Sequence, residues 1–296
     1  MKILNFFIIS AIKGLSFLPL RFLYFMSDGF YYLLYYVIKY RKNVVYANLN
    51  NSFPDKTEKE IEEIAKEFYR HFADMILEII KSYSWNIDDY TKHVTYKNFD
   101  EFNKLHDEDK SIVILTSHFG NWEWWIFAPY FLKHKLLIVY QPLGNKLFDR
   151  FLNGIRSKFG GEMLPLKNTF RSVLNHQQKE EKTITWICAD QTPPRTNTFW
   201  VNFLHQPTSF YNGGEKISRK TGQQVYFFDV MKEGRGKYSL EFKKYTGTPE
   251  ESSPNQISIA YAKYLEELIH RQPSYWLWSH KRWKHKIPEG VTVHNR

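Results

Sequence analysis

From about residue 105 onward, short apolar runs alternate with amphipathic stretches, and no other feature constrains the fold as much. "SIVILTS", "LLIVY", "EMLPL", "TITWICAD", "QQVYFFDV" and "GKYSLEFKKY" read as strands. Between and after them, "NWEWWIFAPYFLKH", "NKLFDRFLNGIRSKF", "TFRSVLNHQQKE", "FYNGGEKISRKTG" and "NQISIAYAKYLEELIHRQP" read as helices. A Pro-rich loop, "QTPPRTNTF", leads to "WVNFL", and "SYWLWSH" reads as a last short strand. Parallel neighbours need a crossover between them, usually a helix. The alternation therefore predicts an α/β fold, with a mixed, largely parallel sheet flanked by helices. No repeat or long linker divides the stretch. A chain of 296 residues with 43% hydrophobic content suits one large domain over 43–296 and an N-terminal appendage over 1–42.

The clearest single helix lies upstream, in "TEKEIEEIAKEFYRHFADMILEIIKSYS". Thr57 and Glu60 have capping-box spacing. Ile61, Ile64, Ala65, Phe68, Phe72, Met75, Ile76 and Ile79 make one apolar face. His71 and Asp74 are expected as ordinary solvated or capping side chains.

The first 42 residues are very apolar but interrupted. Lys13, Arg21 and Asp28 break the run and Pro19 kinks it. No uninterrupted stretch reaches the roughly 18 residues of a membrane-crossing helix. On a continuous helix the three charges fall within an arc of about 80°. That pattern predicts a membrane-associated helical segment, lying in the interface or tilted with its charges snorkelling. Aromatic residues, 18% of the chain, suit such a surface. Lys39, Arg41 and Lys42 close the segment and favour the cytoplasmic side.

The net charge of +10 and a pI near 9.3 favour anionic partners. Zinc-finger spacing, an aromatic–basic RNA signature and a helix-turn-helix pattern are all missing, so nucleic acid is not expected as a partner. One cysteine, Cys188, excludes an intramolecular disulfide and reads as a buried, inert thiol. Neither H-E-x-x-H nor a cysteine cluster occurs, so no metal is expected.

Chemistry concentrates where "SIVILTS" ends. His118 stands just past the strand, where open α/β sheets place their sites. Asn121 is a suitable N-cap for a following helix, and Glu123 would occupy its first turn. With His118 on the turn and Glu123 on the helix, the two can converge. The carboxylate would then orient the imidazole as a general base. This is the base–orienter half of a triad without a serine, so the nucleophile could be a substrate hydroxyl. Spacing alone is not specific, because a plain helix cap gives the same one. Asp190 and Gln191 end "TITWICAD" on the same edge of the sheet, if the strands are parallel. They either shape the site or make the turn before Pro193 and Pro194. Arg156 by itself reads as a helix-surface arginine. Arg195 is a weaker candidate for phosphate contact. "SHKRWKHK" (279–286) is a basic cluster with a tryptophan inside it.

Five ordered blocks carry a family resemblance. "SHFGNWEW" is similar to the H-x4-E block of the late acyltransferases of lipid A biosynthesis, the lauroyl/myristoyl acyltransferases, within the broader H-x4-D lysophospholipid acyltransferase group. "YRKNVVYANLNNSFPDKTEKE", "NKLFDRFLNGIRSKFGGEML", "ADQTPPRTNTFWVNFLHQPTS" and "PSYWLWSHKRWK" resemble the family's other blocks in the same order. Together they span roughly residues 40–290. Two departures are His205 and Gln206, where Phe-Gly is common, and Lys281, where arginine is usual. The resemblance implies a glycerolipid-acyltransferase-like fold. It also implies acyl transfer from an acyl-carrier-protein thioester, or acyl-CoA, to a hydroxyl of a lipid A precursor, with no other cofactor. His118 would be the base and Glu123 its support. Arg156 would stabilise the oxyanion or bind a phosphate, and Asn121, Asp190, Gln191 and Arg195 would contact substrate. The implied partners are acyl carrier protein, the lipid acceptor and the membrane surface, with the catalytic domain on the cytoplasmic face of the inner membrane. Acylation of another amino- or hydroxy-lipid by the same pair is an alternative. A silent lipid-binding protein is a third reading, and it would need neither His118 nor Glu123.

Overall fold

The computed structural model describes residues 2–96 and 99–295, with side chains from residue 5 onward. Its strands are β1 (Val94–Tyr96), β2 (Ile112–Thr116), β3 (Lys135–Tyr140), β4 (Glu162–Pro165), β5 (Thr183–Cys188), β6 (Trp200–Phe203), β7 (Gln206–Ser209), β8 (Gln224–Gly234), β9 (Lys237–Lys244) and β10 (Val293–His294). Among the described residues the main sheet has the order β1-β9-β8-β2-β5-β3-β4, and β10-β6-β7 make a second, small sheet. Every neighbouring pair of the main sheet is parallel except the β8–β9 hairpin. The mixed, largely parallel sheet expected from the alternation is the one observed.

All five residues of β2 are buried, as a central parallel strand covered on both faces requires. On one side of the sheet lie Leu115, Ile187, Phe227 and Tyr261. On the other lie Ile114, Trp125, Trp186 and Phe228. The sheet places β5 between β2 and β3, so the connection leaving β2 crosses over a neighbour. A crevice opens at the carboxyl ends of the strands at such a point.

The helices are α1 (Lys2–Ser16), α2 (Leu20–Tyr32), α3 (Lys42–Ser52), α4 (Glu58–Ser82), α5 (Ile87–His93), α6 (Phe99–Asp107), α7 (Lys146–Arg156), α8 (Thr169–Gln178), α9 (Gly213–Thr221) and α10 (Gln256–Arg271). α4 starts with the expected capping box. Glu60 N–H donates to Thr57 Oγ1 at 3.4 Å, and Thr57 N–H donates to Glu60 Oε2 at 2.8 Å. His71 and Asp74 of α4 are not solvated, as the sequence suggested, but 3% and 4% exposed. The reason is tertiary: α2 and the β8–β9 hairpin cover that face.

Two further expectations are corrected. "NWEWWIFAPYFLKH" is a series of turns ending in a short 3-10 helix at Ala128–Tyr130. Every residue from 119 to 128 is buried, so the segment has no solvent face and no reason to keep helical phase. "SYWLWSH" is a 3-10 turn over Pro273–Tyr275, followed by a single antiparallel bridge between Phe119 and Trp276. Trp278 N–H returns to Trp276 O at 2.8 Å, so the backbone curls instead of extending.

The N-terminal segment breaks at Pro19 into α1 and α2, and a π-helical turn follows at Leu33–Val37. Among the described residues no helix is long and apolar enough to cross a membrane. The polarity of the hairpin is inverted. Ser27 Oγ donates to Asp74 Oδ1 (2.6 Å), Lys81 Nζ to Ser16 O (2.8 Å), and Arg235 NH2 to Asp28 Oδ1 (2.7 Å), all towards the protein body. Phe17, Phe25 and Val37 point outward and are 71%, 74% and 72% exposed.

Candidate active site

β2 and β5 run parallel in register, with Thr116 opposite Cys188. The ladder extends one step further, from Ala189 N–H to Thr116 O at 2.9 Å. His118 and Asp190 therefore leave the sheet side by side. His118 Nδ1 lies 2.7 Å from Asp190 Oδ1, and His118 N–H donates to Asp190 Oδ2 at 2.9 Å. Trp276 Nε1–H donates to the same oxygen at 2.9 Å. Burial pushes the Asp190 carboxyl up, but the imidazole, the His118 backbone N–H and the indole outweigh it. The pKa falls to about 2. An ionised Asp190 takes the hydrogen on Nδ1 and leaves Nε2 as the acceptor. Gln191 Nε2 donates to that atom at 3.0 Å.

Glu123 does not supply this bond. Its carboxylate pairs with Arg156, through Arg156 Nε to Oε2 at 2.9 Å and a second bond from NH2 to Oε1. Burial pushes the Glu123 carboxyl up, and the Arg156 guanidinium beside it prevails and holds it below the usual range. The segment is turns and not a helix, and they swing Glu123 toward the end of α7, so it shares the cavity with His118 without orienting the ring. Asn121 is not the cap of a helix. Its Oδ1 accepts from Glu123 N–H (3.3 Å) and its Nδ2 donates to Glu78 Oε2 (2.7 Å).

A cavity of about 460 Å³ opens here, lined by His118, Trp122, Glu123, Arg156, Cys188 and Gln191 among others. The structure thus brings four of the predicted residues to one cavity, with Asp190 directly behind His118. Asn121 is fully buried behind the turn and does not line the cavity. Arg195 is exposed on the loop beyond Pro194 and does not line it either. Cys188 lines the cavity, and burial pushes its thiol well up. Of the aromatic run, Trp122 faces the cavity while Trp124, Trp125 and Phe127 are core.

The sequence reading missed the clamp made by the segment after α10. Gly120 N–H donates to Tyr275 O (2.9 Å), and Leu277 N–H to His118 O (3.1 Å). Gly120 has φ +58, and a Cβ there would stand 2.6 Å from Val230 O, so only glycine fits the turn. Thr192 N–H donates to His280 Nε2 at 3.2 Å, which ties the Asp190 loop to the same segment. The basic cluster is divided: Lys284 lines the cavity, while Arg282 is buried over the Phe210 ring at 4.3 Å. The aromatic–basic composition of "SYWLWSHKRWK" was the available signal, but it names no partner.

The family model described as bacterial lipid A biosynthesis acyltransferase matches residues 1–285. The lipid A biosynthesis lauroyltransferase of Escherichia coli is 22% identical over 277 residues, covering 93% of this chain and 89% of the relative. The lipid A biosynthesis palmitoleoyltransferase of the same organism is 22% identical over 251 residues, covering 83% and 80%. Among solved structures, the 1-acyl-sn-glycerophosphate acyltransferase of Thermotoga maritima matches with a TM-score of 0.38 and 12% identity, over 87% of this chain and 99% of that one.

Proposed function

The chain belongs to the bacterial lipid A biosynthesis acyltransferases, and we propose that it moves a fatty acyl chain from an acyl-carrier-protein thioester to a hydroxyl of a lipid A precursor. The observation that carries this reading is the His118 imidazole, bound through Nδ1 to Asp190 and turned through Nε2 to the cavity. That is the posture of a general base awaiting a proton from a substrate.

The acceptor hydroxyl displaces the Gln191 amide from His118 Nε2 and gives up its proton there. Its oxygen attacks the thioester carbonyl. A C–O bond forms, the C–S bond breaks, and the proton passes from His118 to the departing thiolate. Asp190 stabilises the imidazolium between these events, the role sequence reasoning gave to Glu123. Glu123 acts through Arg156, holding the guanidinium at the cavity wall where charge builds up on the carbonyl oxygen. Lys284 at the cavity and the overall charge of +10 suit an acidic carrier protein. The outward apolar face of α1 and α2 suits a lipid surface, and Lys39, Arg41 and Lys42 beside it favour the cytoplasmic leaflet.

Purified protein with acyl-carrier-protein thioester should add one acyl mass to a phosphorylated disaccharide lipid precursor. Transfer to an amino-acid lipid but not to that acceptor would replace this reading.

A further inference from the structure

Helix α4 carries a buried polar stripe, His71, Asp74 and Glu78, on its face towards α2 and the catalytic turn. Spacings of three and four residues keep the three on one face. Buried polar groups without catalytic contact call for an explanation, since burial must be offset by hydrogen bonds. Each member here has two sets of partners.

Glu78 is 0% exposed and accepts from three side chains. Tyr24 of α2 donates to Oε1 at 2.8 Å. Asn121 of the catalytic turn and Tyr238 of β9 donate to Oε2 at 2.7 Å and 2.8 Å. Its backbone carbonyl accepts from Trp124 Nε1 at 3.2 Å. His71 holds the same turn one step away. Lys232 Nζ, 3.4 Å from His71 Nδ1, can only donate, so Nε2 carries the hydrogen and donates to Gly120 O at 3.1 Å. Asp74 accepts from Ser27 of α2 and from Arg235, which also binds Asp28. The stripe therefore joins the helix with the outward apolar face to the turn that presents His118 and Glu123.

We propose that Tyr24 and Glu78 are positioning residues for acyl transfer, with the seating of α2 on a lipid surface setting the catalytic turn through the Tyr24–Glu78–Asn121 chain. The idea rests on the acyltransferase reading and on the lipid-facing hairpin. Asn121 is the joint, because its other end holds Glu123 N–H and thereby the carboxylate that fixes Arg156. The lipid contact and the turn are on opposite sides of α4 residues that have no other task in the reaction.

Glu78→Ala strips three donors of their acceptor and risks unfolding, so Tyr24→Phe is the deciding variant. It deletes one hydroxyl and leaves the outward apolar residues of α2 in place. Hydrogen exchange of the 118–124 amides is measured on the full chain, with and without mixed phosphatidylethanolamine and phosphatidylglycerol vesicles. The wild type should slow its exchange on vesicles. Tyr24→Phe should still sediment with them but lose that slowing. Its kcat should fall about tenfold or more, the size of one lost hydrogen bond to a carboxylate, with KM for the thioester unchanged. Vesicle-bound wild type with unchanged exchange, or Tyr24→Phe with wild-type slowing, would overturn the proposal. Wild type that fails to bind vesicles would overturn the lipid-facing reading along with it. Failure to acylate the lipid A precursor, with the exchange results as expected, would instead overturn the assigned substrate alone.

Discussion

His118 and Asp190 each stand two residues beyond a register pair, Thr116 and Cys188, in neighbouring parallel strands. Their 2.7 Å contact follows from that register and needs no loop to find it. A slip of one residue between β2 and β5 would turn one of the two side chains to the wrong face.

Asp190→Asn keeps the shape but loses the charge that holds Nδ1–H and balances the imidazolium. We expect kcat for acyl transfer to fall roughly a hundredfold to ten-thousandfold, with the fold retained by circular dichroism. His118→Ala should abolish transfer. A wild-type rate in either variant would refute the assigned base.

Glu123 and Arg156 are paired with each other, so their catalytic losses should not add. Glu123→Gln, Arg156→Lys and the double variant form a cycle. The double variant should lose little more kcat than the worse single one, with a coupling of about 1 kcal/mol or more. Additive losses would mean that Glu123 acts on His118 independently of Arg156.

Two buried histidines and one half-buried one should make the protein acid-labile. Burial lowers His71 to about 3 and His134 and His280 to about 4. In the unfolded chain each titrates near 6.5. As the pH falls below about 6.5 the unfolded chain takes up protons that the folded one does not, so the stability present at neutral pH is lost progressively towards pH 4. The urea midpoint should drop between pH 7 and pH 5, and His71→Gln should make that slope shallower. An unchanged slope in the variant would show that His71 is not among its causes.

Phe17 and Phe25 project from the hairpin and are largely exposed. Changing either to Ser should weaken sedimentation with anionic vesicles by about tenfold or more, given the roughly 1.5–3 kcal/mol of burying a large apolar side chain. The unfolding midpoint should stay put, because neither ring packs in the core.

Thr57→Ala removes one half of the capping box of α4. The expected cost is about 1 kcal/mol, a fall of roughly 2 °C in Tm by calorimetry.

The sheet could be read in advance because its central strands β2, β3 and β5 are largely buried apolar runs and its helices keep a solvent face. Thr57 and Glu60 were readable for a similar reason: a cap is local. Glu123 was placed wrongly because H-x4-E was set on a helix, and a run of aromatics buried on all sides holds no helical period. Asp190 was on the right sheet edge, yet its partner depended on a strand register that sequence does not display. Trp276 and Glu78 escaped altogether. Their roles come from contacts reaching 86 residues away in one case and 43 in the other, and no local pattern encodes those.

Arg235, at the tip of the β8–β9 hairpin, grips Asp28 across 207 residues of chain. At roughly 5–20 residues per second of synthesis, that arginine leaves the ribosome about 10–40 s after the aspartate it holds. α1 and α2 are thus gripped by this arginine late in synthesis. Until then α4 can already hold the hairpin, through Tyr24–Glu78 and Ser27–Asp74, and the arginine adds a later tie.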